Sequence, residues 1–141
     1  MLSKKAKYAL KALLFLSKNS DKGVILISEI SENEGIPKKF LEQILLELKK
    51  QGILQSKRGK DGGYLLGKAA SEIIIGHVVR IIDGPLAPIP CVSKMAYRRC
   101  DECVDEKTCE IRNLFLQVRD ATIEILDNTT LYQLEQKNIL L

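Results

Sequence analysis

Residues 35–52, GIPKKFLEQILLELKKQG, restrict the fold more than any other part of this chain. The segment opens with a glycine turn, Pro37 suits a first helical position, and Gly52 stands just past the last helical residue. Apolar residues recur at helical spacing along one side, at Leu41, Ile44, Leu45 and Leu48. The pattern predicts an amphipathic helix that buries one face in a core and leaves a lysine-bearing face free.

A shorter helix precedes this one, and together they form a helix-turn-helix pattern. Ser28 is the expected cap of the shorter helix. In a helix-turn-helix, the second helix enters the major groove of DNA with its N-terminal residues leading. Lys38 and Lys39 stand at that end and suit phosphates or guanine edges, while Glu42 or Gln43 could read cytosine or adenine. The alternative is a helical hairpin whose lysines are merely solvated.

A basic hairpin follows directly and weighs against that alternative. Residues 53–68, ILQSKRGKDGGYLLGK, contain two short strand-like pieces around a tip. The tip carries Lys57, Arg58 and Lys60, and the Asp-Gly-Gly sequence after it suits a tight turn. A hairpin of this kind is typical of a wing that contacts the backbone or minor groove of DNA. The front half therefore predicts a DNA-binding winged helix.

Charge is divided unevenly along the 141 residues. Residues 1–70 carry fourteen Lys or Arg and seven Asp or Glu, whereas residues 71–141 carry eight and eleven. A basic front half favours a polyanionic partner, while an acidic rear half suggests a different task. No apolar run in the sequence is long enough to cross a bilayer, and the N-terminal lysines belong to an amphipathic helix over residues 3–18 rather than to a signal peptide. We expect a cytoplasmic protein without a membrane partner.

Four cysteines lie within a nineteen-residue stretch of the acidic rear half: Cys91, Cys100, Cys103 and Cys109. Disulfides are disfavoured because nothing in the sequence indicates an oxidising compartment, and inert packing is disfavoured because the segment is polar and charged. Metal binding explains the thiols better, because a bound cation or cluster deprotonates them and offsets the neighbouring carboxylates. Spacing alone fits zinc, a [2Fe–2S] cluster or a [4Fe–4S] cluster about equally.

A long helix follows the cysteines, from about Cys109 to Asp127. Its apolar stripe consists of Ile111, Leu114, Phe115, Val118, Thr122 and Ile125. Further apolar residues on other sides indicate contact with both its own domain and another subunit. We therefore expect a mainly α fold: a winged helix-turn-helix domain with a small β-wing over residues 1–83, a cysteine-rich metal-binding loop over 84–109, and a long dimerisation helix with a tail over 110–141.

Four segments carry a resemblance to a known family: KYALKALLFLS, ISEISENEGIPKKFLEQILLELKKQGIL, SKRGKDGGYLLGK, and the cysteine loop before the long helix. Over nearly its whole length, the chain resembles the bacterial winged-helix transcriptional regulator family of IscR, NsrR and CymR. The resemblance implies a homodimer with crossing C-terminal helices, a palindromic promoter site on double-stranded DNA, and a cluster ligated by three cysteines of each subunit. Carried over by position, it implies DNA contacts at Lys39, Phe40, Glu42, Gln43 and Arg58.

The cysteines match this family's ligands in part. Three of them match in position: Cys91, Cys103 and Cys109. One branch of the family has a histidine ligand where this chain has Arg112, and another has a carboxylate where this chain has Lys7. Our hypothesis is that Cys100, an additional thiol, takes the place of these fourth ligands and gives an all-cysteine site. The family also includes members without a cluster.

These features predict a DNA-binding transcriptional regulator, expected to be a repressor, that senses redox state, nitric oxide or iron through a cysteine-ligated iron–sulfur cluster. One alternative is a transcription factor with a purely structural zinc ion. Another is an enzyme, a thiol–disulfide oxidoreductase that uses Cys100 and Cys103. We do not expect an enzyme, because this pair lacks a βαβ context and has carboxylate neighbours that disfavour a reactive thiolate.

Overall fold

The computed structural model describes residues 2–137, and within that range it contains six α-helices, one two-stranded sheet and three short 3₁₀ turns. The helices are α1 (Lys4–Lys18), α2 (Ile27–Glu34), α3 (Lys38–Lys50), α4 (Ile75–Asp83), α5 (Glu110–Asp127) and α6 (Leu131–Glu135). The strands are β1 (Leu54–Lys57) and β2 (Gly63–Leu66), and the 3₁₀ turns are Ser20–Lys22, Ala70–Glu72 and Pro90–Val92. The expected mainly α fold with a small sheet and a long late helix is confirmed. No helix in this part of the chain is both long and apolar enough to cross a membrane.

α1 lies at the centre of the winged-helix core because small residues line its inner side. Ala6, Ala9 and Ala12 are fully buried and allow α2, α3 and α4 to approach its backbone closely. α3 presents the predicted apolar stripe, and all four members are fully buried: Leu41, Ile44, Leu45 and Leu48. Burial of each such side chain contributes about 1.5–3 kcal/mol. The stripe therefore fixes which face of α3 remains in solvent.

The helix ends follow capping rules, with two differences from the sequence prediction. Ser3 caps α1 by accepting a hydrogen bond from the Ala6 N–H at 3.0 Å. Ser28 was expected to cap α2 but lies inside that helix. Pro37 is the cap residue of α3 rather than its first helical residue. Both differences shift a helix boundary by one or two positions and leave the order of elements unchanged.

Pairing between Ile25 and Tyr64 explains the early start of α2. The two residues exchange backbone hydrogen bonds of 2.8 and 2.9 Å, so the chain is extended as far as Leu26. Helical geometry then begins at Ile27, before Ser28 is reached. The difference therefore arises from a contact between residues that are far apart in the sequence.

β1 and β2 form the antiparallel hairpin predicted as the wing, with Leu54 opposite Leu66 and Lys57 opposite Gly63. β1 also packs against α3, which places the wing beside that helix. Gly62 is required near the tip, because a Cβ there would collide with the Lys57 carbonyl oxygen. The Asp-Gly-Gly turn is therefore needed for the strands to close.

Residues beyond the wing return to the same core. The Ile75 N–H donates to the Thr129 carbonyl at 2.9 Å, and the Leu131 N–H donates to the Ile73 carbonyl at 2.8 Å. These bonds bring α6 against α1, where Leu131 is fully buried. The boundaries at residues 83 and 109 stay a prediction, but the last described helix packs into the core of the first segment.

Candidate DNA-binding face and cysteine cavity

The exposed face of α3 carries the polar residues predicted to contact DNA. Lys38, Lys39, Glu42 and Gln43 are all exposed, and Lys39 and Gln43 lie on the side of α3 away from the buried stripe. The first turn of α3 contains no acidic residue, so the positive end of the helix dipole adds to the two lysine charges. This end of α3 can therefore contact phosphates and base edges at the same time.

Phe40 faces α1 as well as solvent. Its ring meets the Tyr8 ring edge to face, with centroids 5.6 Å apart and an interplanar angle of 83°. Phe40 is half-buried and lines, with Lys39 and Gln43, a groove of about 400 Å³ between α1 and the start of α3. Its contact with DNA stays a prediction. The geometry indicates a ring that holds the start of α3 against α1.

The wing tip places further positive charge beside α3. Lys57, Arg58 and Lys60 are all exposed, as expected for residues that contact a partner. Together with Lys38 and Lys39, they place five positive side chains on α3 and the wing. This charge complements the negative charge of a phosphate backbone. Which of these side chains touch DNA stays a prediction.

All four cysteines line a single cavity of about 360 Å³. Cys91 is buried in the 3₁₀ turn Pro90–Val92, and Cys109 is the cap residue of α5. Cys100 and Cys103 belong to one tight turn, in which the Cys103 N–H donates to the Cys100 carbonyl at 3.1 Å. All four thiols are free. The fold therefore brings together the residues that the sequence singled out as metal ligands.

The thiols surround this cavity rather than converge on one point. Within residues 2–137, no three side chains of His, Cys, Asp or Glu have the spacing of a single-ion site. The ligands of one zinc ion must all lie about 2.3 Å from the same point, which draws thiols close together. A multinuclear cluster is larger, so its thiolate ligands stand further apart. Four thiols that line one cavity are nevertheless a donor set that suits both zinc and iron–sulfur clusters.

Arginines offset part of the acidic charge around the cysteines, a role that the sequence reasoning missed. The Glu106 carboxylate lies 3.7 Å from Arg99 and 3.3 Å from Arg112, and it accepts a hydrogen bond from the Tyr97 hydroxyl. This hydrogen bond raises the pKa of Tyr97 above its ordinary value. In the sequence, the signal for this role was the pair of arginines, Arg98 and Arg99, directly before Cys100. A bound cation is thus not the sole source of positive charge here.

Two arginines of α5 hold the turn that carries Cys91. The Arg112 Nε donates to the Cys91 carbonyl at 3.4 Å, and the Arg119 Nη1 donates to the Val92 carbonyl at 2.8 Å. The backbone N–H of Arg112 also donates to the Cys109 Sγ at 3.4 Å. Arg112 therefore contacts the first and the last cysteine of the set.

The far end of α5 is fastened to α4. The Arg80 guanidinium donates two hydrogen bonds to the Asp127 carboxylate, at 2.7 and 2.9 Å. These bonds lower the pKa of Asp127 below its ordinary value, although burial opposes them. Gly76 leaves room for the carboxylate, because a Cβ there would collide with Asp127 Oδ1. α5 thus links the cysteine cavity to α4, which packs on α1 and α3.

The outer face of α5 is apolar and uncovered. None of its eighteen residues is buried within the described chain. Four apolar side chains recur there at helical spacing and are 40–66% exposed: Ile111, Leu114, Val118 and Ile125. A row of exposed apolar residues on a helix of this length indicates a protein contact.

Comparisons with known sequences agree with these features. A profile of the Rrf2 family, described as an iron-dependent transcriptional regulator, matches residues 2–137. The chain is 46% identical over 134 residues to an rrf2-like HTH-type transcriptional regulator of Rhodobacter capsulatus, covering 93% of this chain and 89% of that protein. It is 35% identical over 133 residues to the HTH-type transcriptional regulator IscR of Escherichia coli, covering 94% and 78%. Both relatives are named as regulators of transcription and not as enzymes.

Solved structures show that the similarity extends through the cysteine segment and α5. CymR, the global cysteine regulator of Bacillus subtilis, has a TM-score of 0.80 at 28% identity, and the match covers 97% of each chain. IscR of T. potens has a TM-score of 0.75 at 25% identity, covering 97% of this chain and 87% of that one. The shared architecture is therefore not limited to the DNA-binding half.

Proposed function

Because the chain belongs to the Rrf2 family of transcriptional regulators, we propose that it represses transcription as a homodimer bound to a palindromic promoter site. The dimer senses redox state, nitric oxide or iron through a [2Fe–2S] or [4Fe–4S] cluster, and it acts in the cytoplasm, where promoter DNA is found. The proposed ligands are Cys91, Cys100, Cys103 and Cys109. The observation that carries the proposal is the single cavity that all four cysteines line at the start of α5.

Support for iron comes from the donor set and from the family. Thiolates suit both zinc and iron–sulfur clusters, and the four thiols line a cavity of about 360 Å³. The matching family is described as iron-dependent, and one similar protein is named IscR. When bound, a cluster supplies a centre whose charge and integrity change with oxidants, nitric oxide or iron supply.

Cys100 is the proposed fourth ligand because this chain lacks the two alternatives of the family. The Arg112 guanidinium has no acceptor atom to offer a metal, and it is directed at the Cys91 carbonyl and the Glu106 carboxylate. Lys7 is exposed on α1 and bears a positive charge in place of a carboxylate. Cys100 lines the same cavity as the other three thiols, so it can supply a fourth thiolate there.

α5 is the element through which the cysteine cavity acts on DNA binding. Arg119 holds the turn that carries Cys91 on α5, and Asp127 fixes the far end of α5 to α4. A change in the spacing of the thiols therefore tilts α5 relative to the winged helix, because it moves the start of α5 while the far end stays attached to α4. In a dimer, that movement changes the distance between the two α3 helices. Half-sites on B-DNA lie about 34–36 Å apart per helical turn, so a small shift alters the fit.

Modest energies are sufficient for such regulation. A coupling free energy of about 1–3 kcal/mol between the cysteine cavity and the DNA-binding face changes the affinity about 5- to 150-fold. The bidentate Arg80–Asp127 pair and the Arg119–Val92 hydrogen bond are contacts of that order. Rearranging one or two of them therefore accounts for a useful regulatory response.

The exposed face of α5 provides the contact between subunits. With eighteen residues, α5 is about 27 Å long, and an apolar groove of about 710 Å³ lies beside it. This groove is lined in part by Leu86, Val118 and Leu126. A second copy of α5 packed along the stripe covers these residues, and stable interfaces bury about 1,200–2,000 Å² in total. The dimer then presents two α3 helices to two half-sites.

The test is anaerobic purification followed by iron and sulfide analysis and a visible absorption spectrum. We expect a brown protein that contains both iron and sulfide. Cys100→Ala should lower the cluster content or change the spectrum, whereas Thr108→Ala should not, since Thr108 lines the same cavity without a thiol. Full occupancy and an unchanged spectrum in Cys100→Ala would remove Cys100 from the ligand set.

Other outcomes of this experiment separate the alternatives. A colourless protein with stoichiometric zinc supports a structural zinc site. A folded, anaerobically purified protein that contains neither iron nor zinc contradicts the proposed cofactor and leaves a regulator that does not depend on metal. Reconstitution with ferrous iron and sulfide under reducing conditions serves as the positive control for cluster uptake.

A further inference from the structure

The groove beside the start of α3 carries a positive charge that the DNA contacts predicted from the sequence do not include. Lys4 of α1 lines this groove together with Lys39 and Gln43 of α3. Because Lys39 and Gln43 belong to the proposed DNA-reading face, the groove is continuous with that face. We propose that Lys4 binds a backbone phosphate of the duplex, next to the bases that α3 reads. The inference rests on the proposed DNA binding and adds a contact from a second helix.

The Tyr8 ring contacts Lys4 and is itself contacted by Phe40. The Lys4 ammonium lies over the Tyr8 ring, 5.8 Å from the ring centroid, and Tyr8 in turn meets Phe40 edge to face. An aromatic face attracts a cation, so the Lys4 side chain is positioned in advance of binding. Since Phe40 is part of α3, the two rings also fix the position of Lys4 relative to the DNA-reading helix.

Two other lysines of α1 are already engaged inside the protein. Lys5 forms an ion pair with Glu47 of α3 at 2.6 Å, and Lys11 donates to the Glu34 carbonyl at the end of α2 at 2.9 Å. Both contacts hold α1 against its neighbours. Lys4, in contrast, forms no ion pair with any carboxylate of residues 2–137. A phosphate can therefore bind it without first breaking an ion pair.

A phosphate contact has a characteristic salt dependence. Each phosphate that a protein neutralises on B-DNA adds about 0.9 to the slope of log affinity against log salt concentration. Loss of one lysine–phosphate contact lowers that slope by about 1 and weakens binding to all sequences alike. A lysine with a purely structural role changes the stability of the fold and leaves the slope unchanged.

The test compares Lys4→Gln with the wild type on a fluorescein-labelled duplex of random sequence, by fluorescence anisotropy over a range of potassium chloride concentrations. We expect the slope to fall by about 1 in Lys4→Gln and to be retained in Lys4→Arg, which keeps the charge. Lys18→Gln is the matched control and should keep the wild-type slope. Lys18 is exposed at the other end of α1, about 21 Å away along the helix axis.

The possible results separate this contact from DNA binding itself. A wild-type slope in Lys4→Gln, or equal slopes in Lys4→Gln and Lys18→Gln, would overturn the phosphate contact and leave the proposed function intact. A wild type that binds no duplex at any salt concentration contradicts both. Thermal unfolding followed by circular dichroism checks that the variants fold, as expected for an exposed side chain.

Discussion

Arg80 and Asp127 join α4 to the end of α5 through two parallel hydrogen bonds of 2.7 and 2.9 Å. Arg80 belongs to the winged-helix core, whereas Asp127 is the last residue of the helix that starts at the cysteine cavity. The bidentate geometry fixes the relative orientation of the two helices as well as their distance. This pair is therefore the joint that fastens the helix starting at the cysteine cavity to the winged-helix core, and in the proposed mechanism it carries a change at the cysteines to the DNA-binding half.

Replacing Asp127 by Asn should weaken this joint. Asn keeps the size of the side chain but removes the charge, and the pair is partly exposed, with 23% and 35% of the two side chains accessible. We expect the free energy of unfolding to fall by about 1 kcal/mol, because water screens part of the interaction. Chemical denaturation measures the change. Glu124→Gln, an exposed substitution on the same helix, is the control, and equal stabilities of the two variants would show that the joint contributes nothing.

The Arg80–Asp127 pair also makes the free energy of unfolding depend on pH in the acidic range. The hydrogen bonds from Arg80 hold the pKa of Asp127 below its ordinary value of 3.8, so the folded state binds this proton less readily than the unfolded state. The contribution is complete above the ordinary pKa and is lost as the pH falls through the lower pKa of the folded state. The stability difference between wild type and Asp127→Asn should therefore be constant near neutrality and shrink below about pH 4. Denaturation over a pH series checks this, and a difference that grows on acidification would contradict it.

The front half of the fold was predictable because its signals are local. Helical periodicity, a glycine turn and a turn-rich hairpin identified α3 and the wing without reference to distant residues. The assignment of Ser28 as a cap was wrong because the start of α2 is set by Ile25 and Tyr64, which are far apart in the sequence. Local preference was overridden there by strand pairing.

The contacts that hold α5 and the cysteine segment in place were not predictable, because they join distant residues that carry no shared pattern. Arg112 and Arg119 contact carbonyls 21 and 27 positions away, and Arg80 pairs with a carboxylate 47 positions away. The sequence identified the four thiols as one set from their composition and clustering. It did not reveal which arginines would surround them, since any of several nearby carboxylates could have been their partner.

Placing a charge on the outer face of α5 should separate the subunits. Val118 is 40% exposed and lies in the centre of the apolar stripe, so Val118→Glu buries a carboxylate in the proposed interface. We expect a folded monomer with strongly reduced affinity for a palindromic site, as measured by sedimentation velocity and DNA binding. Gln117→Glu adds the same charge at an exposed position beside it and should remain dimeric. A Val118→Glu protein that stays dimeric would place the interface elsewhere.

Variants of α3 and of the wing should affect DNA binding in different ways, because α3 is proposed to read bases and the wing to contact the backbone. Gln43→Ala removes a candidate base contact from the exposed face of α3 and should reduce discrimination between sequences by about 1–3 kcal/mol. Arg58→Ala, at the exposed wing tip, should weaken binding to every sequence and leave the preference among sequences unchanged. Affinities for a site selected from random duplexes, and for single-base variants of it, distinguish the two effects. If Gln43→Ala weakens binding to every sequence and Arg58→Ala changes the preference among sequences, the two assigned roles are wrong.

The measurement that bears most directly on the proposed sensing is the DNA affinity of one anaerobic sample before and after exposure to air. The probe is a duplex selected from a random pool, and the comparison is a variant in which Cys91, Cys100, Cys103 and Cys109 are all serine. We predict that the wild-type affinity changes by at least about 5-fold on exposure and that the serine variant does not respond. An unchanged wild-type affinity, or an equal response in the serine variant, would contradict the proposal that these thiols control DNA binding.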